Sequence, residues 1–198
     1  MANIPKLVGA PDFGKLVAPE ESLGKRLEGK RVLLTGTTKG VGRVTQELLC
    51  AQGAFVCGSG RSKGVAAEVA NELVAKGYKA AGFDVDLSDD EAGKKWVADC
   101  AELMGGIDIV INNASHPGMA PFGEMTPDIW AYGIQNELDL VYNVCNCAWP
   151  YLIEAGGGSI IITSSTVGLQ GSNSPQACHA AATGACLALA RQPAAAGG

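Results

Sequence analysis

The run Thr35-Gly36-Thr37-Thr38-Lys39-Gly40-Val41-Gly42 lies where a short apolar segment, KRVLLTG, gives way to apolar positions at helical spacing. Glycines there let the backbone approach a pyrophosphate. The helix start offers free N–H groups and the positive end of the macrodipole. The same pattern also ends strands for purely geometric reasons. The chain has seven cysteines, at 50, 57, 100, 145, 147, 178 and 186, mostly within apolar stretches. There is no C-x-x-C pair, and Cys145-Asn146-Cys147 is too tight for a zinc knuckle, so no metal site is expected. These thiols read as small reduced core residues. Cys178 and His179 are adjacent on an expected helix and point about 100° apart, so they do not face each other and Cys178 reads as a structural thiol rather than half of a nucleophile pair. His116 borders the expected cleft from a loop, and Tyr132, Tyr142 and Tyr151 read as packing residues.

The elements that must position these groups alternate regularly from Lys30. Strands are expected at 30–36, 54–60, 78–84, 107–113 and 156–165, and helices at 41–52, 65–76, 89–104, 126–154 and 175–191. Gly53 and Gly77 close two of the helices. Acidic residues open the third helix, and Thr126-Pro127 supplies a cap followed by proline at the first helical position. Five β-then-α units mean an α/β fold, a doubly wound parallel sheet between two helix layers. Residues 1–29, with Pro5, Pro11 and Pro19 and the charged ESLGKRLEGK segment, read as an N-terminal extension. Residues 30–198 read as one domain.

Three motifs in order carry a family resemblance. They are T-G-x-x-x-G-x-G at Thr35 to Gly42, Asn112-Asn113-Ala114-Ser115 after the fourth strand, and Gly158-Ser159-Ile160-Ile161-Ile162-Thr163-Ser164-Ser165 on the fifth. Over residues 30–191 the chain resembles the short-chain dehydrogenase/reductases, with Ser115 where the family usually has Gly. The resemblance implies a Rossmann fold, a nicotinamide cofactor and a catalytic Asn, Ser, Tyr, Lys set. It maps cofactor contacts onto Gly36, Thr38, Lys39, Gly40, Val41, Gly42, Arg61, Asn113 and Ala114. For the adenine amine, Asp86-Leu87 fits better than Asp84-Val85. The second strand ends Gly58-Ser59-Gly60-Arg61, without the carboxylate that would bind the ribose hydroxyls of NAD. Arg61 and Lys39 together favour NADP(H).

The resemblance maps the active-site Ser onto Ser165 and the helix Asn onto Asn136. The family's Tyr-x-x-x-Lys, thirteen residues past that Ser, falls on Cys178 and Ala182. A positioned proton donor contributes about 10²–10⁴-fold in rate, so catalysis through this pair would be lost. The family also continues past the last helix with further strands, so the fold is expected to lack them. Two functions follow. One is an NADP(H)-dependent oxidoreductase acting on a carbonyl or secondary alcohol, with impaired or absent catalysis. The other is a catalytically inactive nucleotide-binding protein with a binding or regulatory role.

Composition narrows the partners. With 15 Lys+Arg against 20 Asp+Glu the formal charge is -5, which argues against nucleic acid or an anionic membrane surface. No apolar run is long enough to span a bilayer and the start lacks a secretory pattern, so a cytoplasmic protein is expected. A small carbonyl or alcohol is the expected substrate. A homo-oligomer, or pairing with a related subunit, is expected to cover exposed apolar helix faces.

Overall fold

The computed structural model describes residues 25–197. Most of the expected N-terminal extension, residues 1–24, lies outside them. Five parallel strands form the sheet, β1 (Arg31–Leu34), β2 (Phe55–Gly60), β3 (Lys79–Asp84), β4 (Ile109–Asn112) and β5 (Ser159–Ile162), in the order β3-β2-β1-β4-β5. The helices are α1 (Gly40–Ala51), α2 (Val65–Ala75), α3 (Asp90–Met104), α4 (Pro127–Ile134), α5 (Leu140–Glu154) and α6 (Ala177–Ala196). The expected doubly wound sheet is thus observed.

Side-chain alternation along the strands builds two cores. Val32, Leu34, Val56 and Ile111 point to one face and bury Cys50 and Leu73 of α1 and α2. Leu33, Cys57 and Val110 point to the other, against Trp96, Val97 and Cys100 of α3, Val144 and Ala148 of α5 and Cys186 of α6. Both faces are covered, which is why the central strands read as continuous apolar runs. Six of the seven cysteines are buried and Cys147 is half-buried. Burial pushes the Cys50 thiol up to about 12 and Cys145 to about 11, so both stay protonated as small core residues. On β5, Ile160 and Ile162 pack into the second core, whereas Ile161 is 49 % exposed.

Two local departures matter. Residues 25–29 form a turn tied to the end of α1, with Leu27 N–H donating to the Gln52 carbonyl (2.9 Å) and Gly29 N–H to Gly53 (3.3 Å). Between α4 and α5 the expected single helix widens into a π turn, Gln135–Asp139. A π turn adds one residue to a helical turn and is frequent at functional sites. Here it turns two consecutive side chains inward, for Asn136 and Glu137 are each 4 % exposed.

Candidate active site

The chain leaves β1 toward β2 on one side of the sheet and returns to β4 on the other. A crevice opens at the carboxyl ends of the strands at this switch point. A cleft of about 510 Å³ lies there, within the usual range for small-molecule sites. It is lined by the glycine turn, the end of β2, residues 85–87 after β3, residues 113–116 after β4, and Asn136 and Leu140 of the π turn and α5.

The glycine turn is held by geometry. Gly36 has φ +75°, and a Cβ there would meet the Ala114 backbone at 3.0 Å. Gly42 is tighter still: its Cβ would lie 2.0 Å from the Gly36 carbonyl oxygen. Asn113 braces this approach, donating from Nδ2 to the Thr35 carbonyl (3.1 Å) and the Gly36 carbonyl (3.2 Å). Thr35 Oγ1 accepts from the backbone N–H of Asn113 and of Ala114, both at 2.9 Å. Lys39 is the N-cap of α1 and makes no side-chain cap, so the helix starts, at Gly40 in the cleft lining, without a side-chain acceptor for its first N–H groups.

Thr38, Lys39, Gly40 and Arg61 line the same cleft, as do Asp86, Leu87, Asn113 and Ala114. Gly42 sits behind the turn, and Val41 is 71 % exposed and outside the lining. Burial alone would raise the Asp86 carboxyl. The Ser88 hydroxyl and amide hydrogen bonds and the Arg61 charge outweigh it and hold the group below the usual carboxylate range. An approachable glycine backbone, an uncapped helix start, two cations and an ionised acceptor at 86 fit the phosphates and adenine of a dinucleotide.

The chemical end is arranged differently. Asn136 lines the cleft, with Nδ2 donating to the Tyr132 carbonyl (2.9 Å) and Oδ1 accepting from Arg61 (3.5 Å). Ser165 follows β5 outside the lining, where its Oγ accepts from the Val167 N–H. Cys178 and Ala182 are both fully buried. The Cys178 thiol donates to the Trp130 carbonyl (3.3 Å) and lies against Gly133, away from the cleft. Burial and the nearby Glu137 charge raise its pKa, which disfavours the thiolate.

The residue one position on does turn inward. His179 Nδ1 meets Glu137 Oε1 at 2.8 Å and Oε2 at 3.0 Å. Glu137 Oε1 also accepts from Ser115 Oγ at 2.5 Å, and Ser115 lines the cleft. Four residues after His179, Thr183 Oγ1 donates back to the His179 carbonyl, and Ser164 Oγ donates to the Thr183 carbonyl. Glu137 was not among the sequence candidates, and His179 was considered only as a partner for Cys178 and set aside. The hint available was a carboxylate and an imidazole in otherwise apolar helices; the π turn that buries Glu137 leaves no periodicity signal. At the cleft mouth His116 Nδ1 lies 3.0 Å from the Tyr132 hydroxyl.

Comparison with known proteins agrees with this architecture. The short chain dehydrogenase family profile matches residues 30–196. The 3-oxoacyl-[acyl-carrier-protein] reductase FabG of Thermotoga maritima is 31% identical over 166 residues, covering 84% of this chain and 67% of that protein. The Vibrio harveyi FabG is 33% identical over 156 residues, covering 79% and 62%. A short chain dehydrogenase structure from Mycobacterium smegmatis superposes with a TM-score of 0.81 at 27% identity, covering 86% of this chain and 72% of that one. The chain spans 67%, 62% and 59% of the first three curated relatives' lengths. With the fold, the glycine turn and the family profile in agreement, the chain belongs to the short-chain dehydrogenase family.

Proposed function

We propose that this protein binds NADP(H) in the cleft and is an oxidoreductase for a small carbonyl or secondary alcohol, slowed by loss of the family's Tyr and Lys. The observation that carries the cofactor choice is the end of β2. Gly58-Ser59-Gly60-Arg61 offers no carboxylate, and Arg61 and Lys39 line one cleft with the glycine turn. A guanidinium and an ammonium there favour a 2′-phosphate over two free hydroxyls. Bound reduced nicotinamide supplies a hydride. Asn136, Ser115 and His116 line the end of the cleft where a substrate would be held. The reading is tested by fluorescence titration with NADPH and NADH, followed by a ketone screen. Preferred NADPH binding with slow turnover supports it, and no binding of either contradicts it.

The second reading is a nucleotide-binding protein without turnover, with a binding or regulatory role. The burial of Cys178 favours it, because its thiol packs against Trp130 and Gly133 and does not reach the cleft. NADPH binding without oxidation of the cofactor by any ketone would select this reading.

Residues 30–198 are proposed to act as one cofactor-binding unit. No helix among the described residues is long and apolar enough to cross a membrane, and the reduced, buried thiols favour the cytoplasm. Self-association is proposed through α5 and α6, where Tyr142, Trp149, Leu189 and Pro193 line an apolar groove of about 260 Å³. A monodisperse monomer in light scattering would contradict it.

A further inference from the structure

We infer that Ser115, Glu137 and His179 form a proton relay that reaches the cleft at the Ser115 hydroxyl and serves carbonyl reduction in place of the missing Tyr. The inference rests on the reductase reading above. Its starting point is that side chains foreign to the family pattern join into one network. Ser115 replaces the usual Gly, and His179 adjoins the position where Tyr is lost. Glu137 is 4 % exposed and receives both, Ser115 Oγ at 2.5 Å and His179 Nδ1 at 2.8 Å.

A carboxylate this buried is costly unless paired and hydrogen-bonded, and here its oxygens are supplied by a hydroxyl and an imidazole. With Nδ1 bound to Glu137, Nε2 of His179 has no hydrogen bond among the described residues. His179 keeps 18 % of its side chain exposed, which gives the far end of the chain access to solvent. The Cys178 thiol is turned to the Trp130 carbonyl and takes no part.

In alcohol oxidation the carbinol hydrogen leaves with its electron pair as hydride, the substrate hydroxyl passes its proton to Ser115 Oγ, and Ser115 passes its own proton to the Glu137 carboxylate that it already hydrogen-bonds. His179 Nδ1 holds that carboxyl group from the other side. Carbonyl reduction runs the same transfers in reverse: as hydride reaches the carbonyl carbon and the C=O π pair moves to oxygen, the oxygen takes the Ser115 proton and Ser115 takes one from the protonated Glu137. Ser115 is the catalytic residue here, and Glu137 and His179 position and reload it.

The test uses the full chain and three variants, Ser115→Gly, Glu137→Gln and His179→Gln. Glycine is the family's own residue at 115, and Gln at 179 keeps a donor for Glu137. NADPH affinity is titrated first, then single-turnover reduction of a small ketone is followed by loss of NADPH fluorescence. The expected result is unchanged NADPH affinity with turnover reduced about 10²-fold in each variant. A bowed proton inventory in the wild type should become linear in Ser115→Gly. The ¹⁵N imidazole resonances of His179 should report protonated Nδ1 in the wild type and a tautomer mixture in Glu137→Gln.

Unchanged turnover in the variants overturns the relay. NADPH binding without any ketone reduction by the wild type also overturns the relay, while leaving the cofactor site intact. Absence of NADPH binding overturns the reductase reading itself, and the relay with it.

Discussion

The two halves of the cleft were built by different rules. The half formed by the glycine turn, the end of β2 and Asp86 offers backbone approach and charge, and its residues line one cleft. The half expected to hold the chemistry depends on individual side chains, and it is scattered: Asn136 lines the cleft, Ser165 lies outside it, and Cys178 and Ala182 are buried. A site made of backbone survives side-chain replacement as long as its glycines remain. A proton-transfer site does not, and here a Ser115–Glu137–His179 network fills part of its place.

The sharpest way to break the first half is Gly42→Ala. The added Cβ would sit 2.0 Å from the Gly36 carbonyl oxygen and 2.6 Å from Asn113 Nδ2, so the turn must shift. We expect NADPH affinity to fall more than about 100-fold, with a stability loss of about 1–3 kcal/mol from overpacking. Titration and thermal unfolding check both; an unchanged affinity would show that the turn does not hold the cofactor.

The second half is sharpened by two double variants. Cys178→Tyr with Ala182→Lys places large groups at fully buried positions, and should destabilise the fold without raising ketone reduction. His179→Tyr with Thr183→Lys uses the pair, four residues apart, that begins at the inward-facing His179. It should raise turnover at least about tenfold, within the range of general acid catalysis. A gain from the first pair and none from the second would return the family register to 178 and 182.

A smaller effect separates cofactor binding from fold. The Arg31 guanidinium donates to both Asp108 carboxylate oxygens, 2.8 Å from Nε and 2.9 Å from Nη2, where β1 begins and far from the cleft lining. That hydrogen bond, assisted by the Arg31 charge and opposed by burial, holds the Asp108 carboxyl below its usual value. A depressed folded value gives stability that is present above the unfolded carboxyl pKa, about 3.9, and is lost as pH falls through the folded value. Asp108→Asn should therefore cost about 2 kcal/mol at neutral pH and flatten the acid limb of the stability curve. NADPH affinity should not change. Unfolding midpoints measured between pH 2 and 7 check this, and a parallel acid limb in the variant would contradict it.

The sequence carried the fold and one half of the site far better than the other. Strand positions were legible because Val32, Leu33 and Leu34, and Val110 and Ile111, are buried on both sheet faces and so appear as uninterrupted apolar runs. The glycine turn was legible because Gly36 and Gly42 stand where no side chain fits. Glu137 was not legible, since helical spacing turns only one of two adjacent residues inward and the π turn at Gln135–Asp139 turns both. Likewise, counting thirteen residues from Ser165 arrives at Cys178, whereas packing of its thiol against Trp130 and Gly133 leaves His179 as the neighbour that meets Glu137.

The central claim is that the intact half of the cleft is an NADP(H) site, and its most direct test is a fluorescence titration of wild type and Arg61→Ala with NADPH and NADH. Tighter NADPH binding is expected for the wild type, reduced at least about tenfold, or 1.4 kcal/mol, in Arg61→Ala, with NADH nearly unaffected. Equal losses for both cofactors, or no preference in the wild type, would contradict it.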